Sequence, residues 1–264
     1  MMAAAHAATG VTAGLYTTAL IAPDSSTGTL LAGALVCAGA SLLPDLDREN
    51  STASNVFGSL SRVASARVNG LSRRLYRATR TRWDYPQPDE DDGHRGMTHT
   101  LVFAVLAGVV AWAAAGVHPF LVVFPTACLA VRAAIPYLQM QKDGMMSSAL
   151  VRVLRHSIST SLLGAGVAWI ALRHLDDPVG VAALVALGCL VHCLGDSLTL
   201  AGCPWLWPVP ILGRRWFRIG LPRPARFRTG GRVETLLVAP LIVLGTLVVG
   251  GLLVAPRLFA GLLP

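Results

Sequence analysis

Seven residues in this chain have the chemistry of a metal centre: His6, Asp45, Asp47, His94, His99, His192 and Asp196. Imidazole nitrogens and carboxylate oxygens together form a ligand set suited to zinc and manganese. Asp45 and Asp47 follow a proline, in Leu42-Leu43-Pro44-Asp45-Leu46-Asp47. Pro44 disfavours helix in the residue before it, so an extended or turned stretch is expected. If extended, i and i+2 point the same way and aim both carboxylates at one place. His192 and Asp196 are four apart, which on a helix places them on one face, as two ligands or as a ligand and its orienting partner. His94-Arg95-Gly96-Met97-Thr98-His99 reads as a turn into a helix, with Thr98 as N-cap, His99 in the first turn and His94 in the loop before it.

Taken singly, most of these have ordinary readings. His6 alone would be a solvated histidine near a terminus, and Asp45 and Asp47 would be charges that stop an apolar span. His192 and Asp196 resist such a reading, because a histidine and an aspartate one turn apart inside an apolar helix are costly unless paired. Arg132 also lies in an apolar stretch and is a candidate partner for one of the carboxylates. His118, His156 and His174 lie away from the set and receive no role.

The elements that must position these residues are membrane helices. Hydrophobic residues make up 53% of 264 and charged residues only 14%, where a soluble domain carries about 25% charged. Mean hydropathy is +0.57. Seven apolar segments run at roughly 3–22, 28–44, 98–116, 119–139, 158–174, 179–200 and 235–255, most of them near the ~20 residues that cross the hydrocarbon core. The expected fold is all-α, a polytopic membrane helix bundle of about seven transmembrane helices. Glycine and alanine within the segments let helices approach closely in lipid. The first segment lacks the basic start of a cleaved signal and carries His6, so it is read as a membrane helix.

Charge sets the orientation. The formal net charge is +8, carried by arginine with the single lysine Lys142. The arginines collect in loops at 48–97 and 201–234, with Lys142, Arg152 and Arg155 in a third loop at 140–157. Seven spans put these three loops on one side, and the positive-inside rule makes it cytoplasmic, with the N-terminus inside. This explains the basic balance without nucleic-acid binding; affinity for anionic headgroups of membrane lipid is secondary. All seven candidate ligands then fall at the cytoplasmic ends of spans. The topology came from hydropathy and arginine positions alone, so this convergence is independent support.

The remaining features read as structure. Cys37, Cys128, Cys189, Cys193 and Cys203 form no CxxC and are read as buried small residues, without disulfides or a thiolate site. Between Asn50 and Arg82, apolar Val63, Val68, Leu71 and Leu75 alternate with Arg62, Arg67 and Arg74, a pattern that suits an amphipathic helix on the inner leaflet. Residues 84–92 read as an acidic solvated linker. Trp205-Leu206-Trp207-Pro208 reads as interfacial anchoring, and Thr199 and Gly202 as turn residues.

Four blocks carry a family resemblance: His6 with Gly10, LLPDLD at 42–47, HRGMTHT at 94–100 and HCLGDSLTLAGCPWLWP at 192–208. In this order they resemble the YdjM-type, LexA-regulated membrane-bound metal-dependent hydrolases of bacteria. The resemblance implies one membrane-embedded hydrolase domain over 1–264 with a divalent metal, its ligands drawn from His6, Asp45, Asp47, His94, His99, His192 and Asp196. An insertion at about 48–93 and an Arg-rich loop at about 209–232 look less typical of it.

Four histidines and three aspartates exceed the three protein ligands typical of a single catalytic zinc. Two ions bridged by an aspartate, or one ion with outer partners, both fit, as Zn or Mn. Asp47 or Asp196 is the candidate proton acceptor and Arg95 the candidate holder of an anionic substrate group. The expected activity is hydrolysis of a phosphoester or acyl bond in a lipid-like substrate at the cytoplasmic face of the inner membrane. The rivals are a cation transporter, which would want its ligands at mid-membrane, and a membrane protein that uses metal only to tie its segments together.

Overall fold

Long apolar runs with few charges leave the backbone one way to satisfy its N–H and C=O groups in lipid, which is a helix. The computed structural model describes residues 1–84, 95–140, 152–154 and 156–260, and it is all-α. The seven expected segments appear as α1 (Ala3–Ile21), α2 (Thr27–Ala40), α5 (Leu101–Val117), α6 (Phe120–Met140), α7 (Ser157–Ala171), α8 (Pro178–Ser197) and α9 (Ala239–Ala260). Two further helices, α3 (Thr52–Asn55) and α4 (Ser59–Thr79), lie between α2 and α5. Helix starts follow capping chemistry. Ser26 accepts from Thr29 N at 3.1 Å, and Asp177 accepts from Val179 N and Gly180 N ahead of Pro178.

Of the seven segments, three are long and apolar enough to cross a membrane: Thr27–Asp47, Pro178–Ser197 and Glu234–Leu258. Leu101–Val117 and Phe120–Ile135 are shorter apolar helices. α1 misses the threshold because Thr9, Thr12, Thr17, Thr18, His6 and two glycines dilute it, and α7 has only 15 residues. Those dilutions have structural uses. A Cβ on Gly10 would sit 2.7 Å from Ala38 Cα, and one on Gly14 2.7 Å from Ala34 Cα. This small-xxx-small spacing lets α1 and α2 cross backbone to backbone. The core beside that crossing is built of small and β-branched residues: Val36 and Cys37 of α2, Val123 and Ala127 of α6, Ala168 of α7, and Val181 and Val185 of α8.

The connections sort by end. At one end are the start of α1, the exit of α2, the start of α5 and the close of α8. Ser157 at the start of α7 donates to Asn55 O of α3 there, 3.3 Å away. Glu234, in a π-helical turn at Glu234–Val238 that opens α9, accepts from Met2 N at 2.6 Å at the same end. At the other end Arg257 donates to Pro23 O and Ser25 O, and His174 lies against Gly28. The helix ends that border the arginine-bearing segments thus lie together at one end of the bundle.

The 201–234 loop folds onto α4 rather than spreading as an aromatic anchor. Trp205 Nε1 donates to Ser197 Oγ at 2.6 Å, and Trp207 and Trp216 both donate to Thr79 Oγ1. Trp216 stacks on Trp207 and packs against Tyr76. Asp84, the first residue of the expected acidic linker, is buried and accepts from Trp216 N and Thr81 N. The rest of that linker lies outside the described residues.

Candidate metal centre

The site is assembled at the shared end from four segments, each held by its own backbone logic. His6 occupies the second turn of α1, its ring fully buried and stacked on His192 with centroids 3.7 Å apart. Gly195 permits that approach, since a Cβ there would lie 3.2 Å from the His6 ring. His192 and Asp196 share one face of α8, as their spacing requires.

Of the two forms expected of it, extended or turned, Pro44–Asp47 takes the second, a 3-10 turn that continues the end of α2. In that turn the two carboxylates diverge. Asp45 Oδ1 lies 3.7 Å from His192 Nε2, whereas Asp47 Oδ2 accepts from Thr98 Oγ1 at 2.6 Å and lies 3.6 Å from His99 Nδ1. Proline at the turn's first position explains it, because its fixed φ suits the start of a helical turn as well as an extended strand.

Around His99 the helix begins later than expected. Met97–His99 is a 3-10 turn, and the N-cap of α5 is Thr100, whose hydroxyl accepts from Phe103 N at 3.1 Å. Thr98 is thereby released for the site. Its hydroxyl gives its proton to Asp47 and lies 2.9 Å from His99 Nδ1, so it accepts from an Nδ1–H and leaves Nε2 of the neutral ring with a lone pair. His192 is set the same way, its Nδ1 lying 2.7 Å from Ser41 O, which can only accept.

The two Nε2 atoms face each other at 3.2 Å. Asp45 Oδ1 and Asp196 Oδ2 lie 3.7 and 3.8 Å from His192 Nε2, and Asp196 Oδ2 is 3.6 Å from His99 Nε2. With both rings neutral, two Nε2 lone pairs would face one another beside two carboxylates, an arrangement that a bound cation would relieve. His6 adds two buried ring nitrogens without a hydrogen bond, its Nε2 standing 3.2 Å from Asp196 Oδ1. Two triads have ligand atoms within 4.8 Å of one another, His6-His192-Asp196 and Asp45-His99-His192, and these groups could hold a metal ion. Both triads use His192, whose Nδ1 is committed to Ser41. Its one remaining lone pair could serve one ion, so the two triads share a candidate ligand.

Arg95 stands behind this centre. Its Nε donates to Asp196 Oδ2 at 2.9 Å and its Nη1 to Thr199 Oγ1 at 3.0 Å. It is a partner of Asp196, and Thr199 orients it as well as shaping the turn. Arg95 holds this place with φ 56°, the left-handed region that a non-glycine residue adopts at a cost. The α-amino group of Met1 also pairs with Asp196 Oδ1. Asp196 is therefore a clamped carboxylate, not one poised to accept a proton. Asp47 is an orienter of His99 rather than a direct neighbour of the facing nitrogens. His94 lies outside the described residues.

Burial gives the site a direction. The side chains of His6, His99, His192 and Asp196 are 0–2% exposed, and that of Asp45 is 13% exposed. Asp45 is the most exposed side chain of the cluster. All five cysteines are free and buried. Burial, with hydrogen bonding to Cys193, pushes the Cys203 thiol well above its ordinary range, which argues against a thiolate ligand there. His118 and His156 accept from Phe120 N and Ile158 N at helix starts, away from the cluster.

Sequence reasoning passed over Ser41, whose carbonyl sets the His192 tautomer and whose hydroxyl donates to His6 O at 2.9 Å. No motif flags a backbone carbonyl. Glu234 was also missed, though a lone acid at the foot of an apolar span was a visible signal. It accepts from Met2 N and Gly230 N and ties the start of the chain to α9.

These features define a helical membrane protein with a buried imidazole–carboxylate cluster at one end of its bundle. The chain belongs to the YdjM family of inner membrane proteins, whose family model matches residues 1–135 and 141–255. The matched stretches run across the α3–α4 insertion and the Arg-rich loop, so neither lies outside the family's extent. Comparisons with curated proteins and with solved structures find no match.

Proposed function

We propose that the protein is a mononuclear metal-dependent hydrolase of the inner membrane, acting on a phosphoester or acyl bond of a lipid-like substrate at the cytoplasmic face. The observation that carries the metal is the opposition of His99 Nε2 and His192 Nε2 at 3.2 Å beside Asp45 and Asp196, with each ring's other nitrogen already engaged. Asp45, His99, His192 and Asp196 would hold a divalent ion, Zn or Mn by donor type, with His6 at its flank. Such an ion supplies Lewis acidity toward a carbonyl or phosphoryl oxygen and lowers the pKa of water to about 7.

The chain's own residues set the conditions for that chemistry. Asp47 and Thr98 fix the His99 tautomer, Ser41 fixes that of His192, and Arg95 holds Asp196 in one orientation. Asp45, at the open side, is the carboxylate that meets both substrate and water and is placed to take the proton. Seven alternating helices put the site and the arginine loops together, and the positive-inside rule puts both in the cytoplasm. A transporter would need its ligands at mid-span, whereas these sit at helix ends.

The test has two readouts. Metal analysis of the detergent-purified protein is expected to give one equivalent of zinc or manganese, lost in His192→Ala. Phosphoester and acyl-ester lipids are then offered to the metal-loaded protein and to that variant. Turnover by the wild type alone supports the hydrolase. One bound equivalent without turnover on either class leaves a structural metal and removes the enzyme reading.

A further inference from the structure

The helix α4 packs with its polar side inward. Ser61, Ser65, Asn69, Ser72 and Tyr76 form one stripe at helical spacing, and all five are buried. On the opposite side Leu60, Ala64, Arg67, Leu71, Arg74 and Ala78 are exposed, and Val63 beside them is too. Leu60 is 73% exposed, Val63 58% and Leu71 53%. A helix on the surface of a water-soluble protein buries the other way, apolar stripe to the core and polar residues to water. The outer face of α4 therefore has a second apolar phase to meet. It carries five arginines over Ser59–Thr79 and no acidic residue.

Its placement says which phase. Asn69 Nδ2 donates to Asp47 O at 2.8 Å, and Ser72 Oγ accepts from Met97 N at 3.0 Å. α4 thus lies across the end of the bundle where α2 leaves and α5 begins. Where those helices enter a bilayer, that level is the headgroup plane. Leucines flanked by arginines on an interfacial helix bury their apolar side chains at the acyl boundary, while the guanidinium groups reach lipid phosphates.

We propose that α4 lies in the surface of an anionic phospholipid bilayer, with Leu60, Val63 and Leu71 inserted and Arg62, Arg67, Arg74 and Arg77 on phosphates. The partner is the lipid surface. Nucleic acid matches the arginines equally well but offers nothing to three exposed apolar side chains. The inference does not depend on a metal or on hydrolysis. It does give the cluster a link to the membrane, since the helix that rests on lipid also hydrogen-bonds the segments bearing Asp47 and His99.

The experiment uses the full-length protein in bilayer nanodiscs. The five native cysteines are buried, so Leu71→Cys accepts an environment-sensitive fluorophore selectively, and Val63→Cys provides a second position. In discs containing phosphatidylglycerol, blue-shifted emission quenched by bromine on the acyl chains is expected at both positions. Replacing Arg67 and Arg74 together by alanine should lower the inserted-to-free ratio by on the order of tenfold. Aqueous emission from both labels in anionic discs overturns the proposal. Insertion of equal strength in phosphatidylcholine discs, insensitive to the arginines, overturns its electrostatic half. Labels that stay aqueous and respond only to added duplex DNA assign the face to nucleic acid and overturn it entirely.

Discussion

Helices α8 and α4 both bury polar residues at helical spacing, and they do so for opposite reasons. On α4 the buried groups are neutral, and most find protons or acceptors in neighbouring backbone. Ser61 donates to Ser54 O, Asn69 to Asp47 O, and Ser72 accepts from Met97 N. On α8 the buried groups are a carboxylate and an imidazole, and His192 Nε2 faces two carboxylates and the Nε2 of a second imidazole. The first pattern is polar adhesion, satisfied within the protein at these three side chains, while Ser65 Oγ is buried without a partner. The second presents a set of acceptors that a cation could join. Burial and periodicity do not separate the two, and the accounting of protons does.

The largest expected effect breaks the α8 side of this comparison. Asp196 is met by Arg95 and by the Met1 α-amino group, so Asp196→Ala leaves two buried cations without their counter-charge. Removing one partner of a buried pair costs about 3–5 kcal/mol. Thermal unfolding in detergent should show a fall of that order, together with loss of bound metal. A variant that keeps wild-type stability would mean the clamp around Asp196 is not formed.

His192→Ala is expected to abolish metal binding with a smaller structural loss, because it removes the lone pair that both triads share. Metal analysis decides it. Retention of half the wild-type metal would show two independent ions and dissolve the single centre. Thr98→Val comes next. It keeps every proposed ligand but removes the hydroxyl between Asp47 and His99, and loss of such an outer partner lowers metal affinity by about 10–100-fold. Competition with a chelator measures this, and an unchanged affinity would place Asp47 and Thr98 outside the centre's influence.

The sequence made the membrane class and the convergence of residues legible, because hydropathy, arginine position and the i, i+4 pair on α8 are local signals. All seven apolar segments are helices, and the described candidates meet at one end. What it could not divide was labour among them. Asp45 and Asp47 look equivalent in LLPDLD, and only the 3-10 turn sends one toward His192 and the other behind His99. Arg95 reads from sequence as a holder of substrate anion, and only a left-handed residue in the loop before His99 turns it onto Asp196. Thr98 lost its capping role to Thr100 by two positions, a shift that propensity does not resolve. The amphipathic pattern of α4 was visible, and Val63 and Leu71 lie on its exposed face, with Val68 and Leu75 partly covered.

The smallest effect sharpens the α4 side. Ser72→Ala removes the acceptor for Met97 N in a partly buried contact, and a buried donor left unmatched costs about 1–3 kcal/mol. The unfolding temperature should drop modestly while bound metal stays at the wild-type level, because Ser72 positions the backbone before His99 and supplies no ligand itself. That combination separates the two helices experimentally: a change on α8 removes the ion, and one on α4 loosens the frame around it. If Ser72→Ala strips the metal as completely as His192→Ala, then α4 is part of the centre, and its buried serine stripe has to be counted with the site.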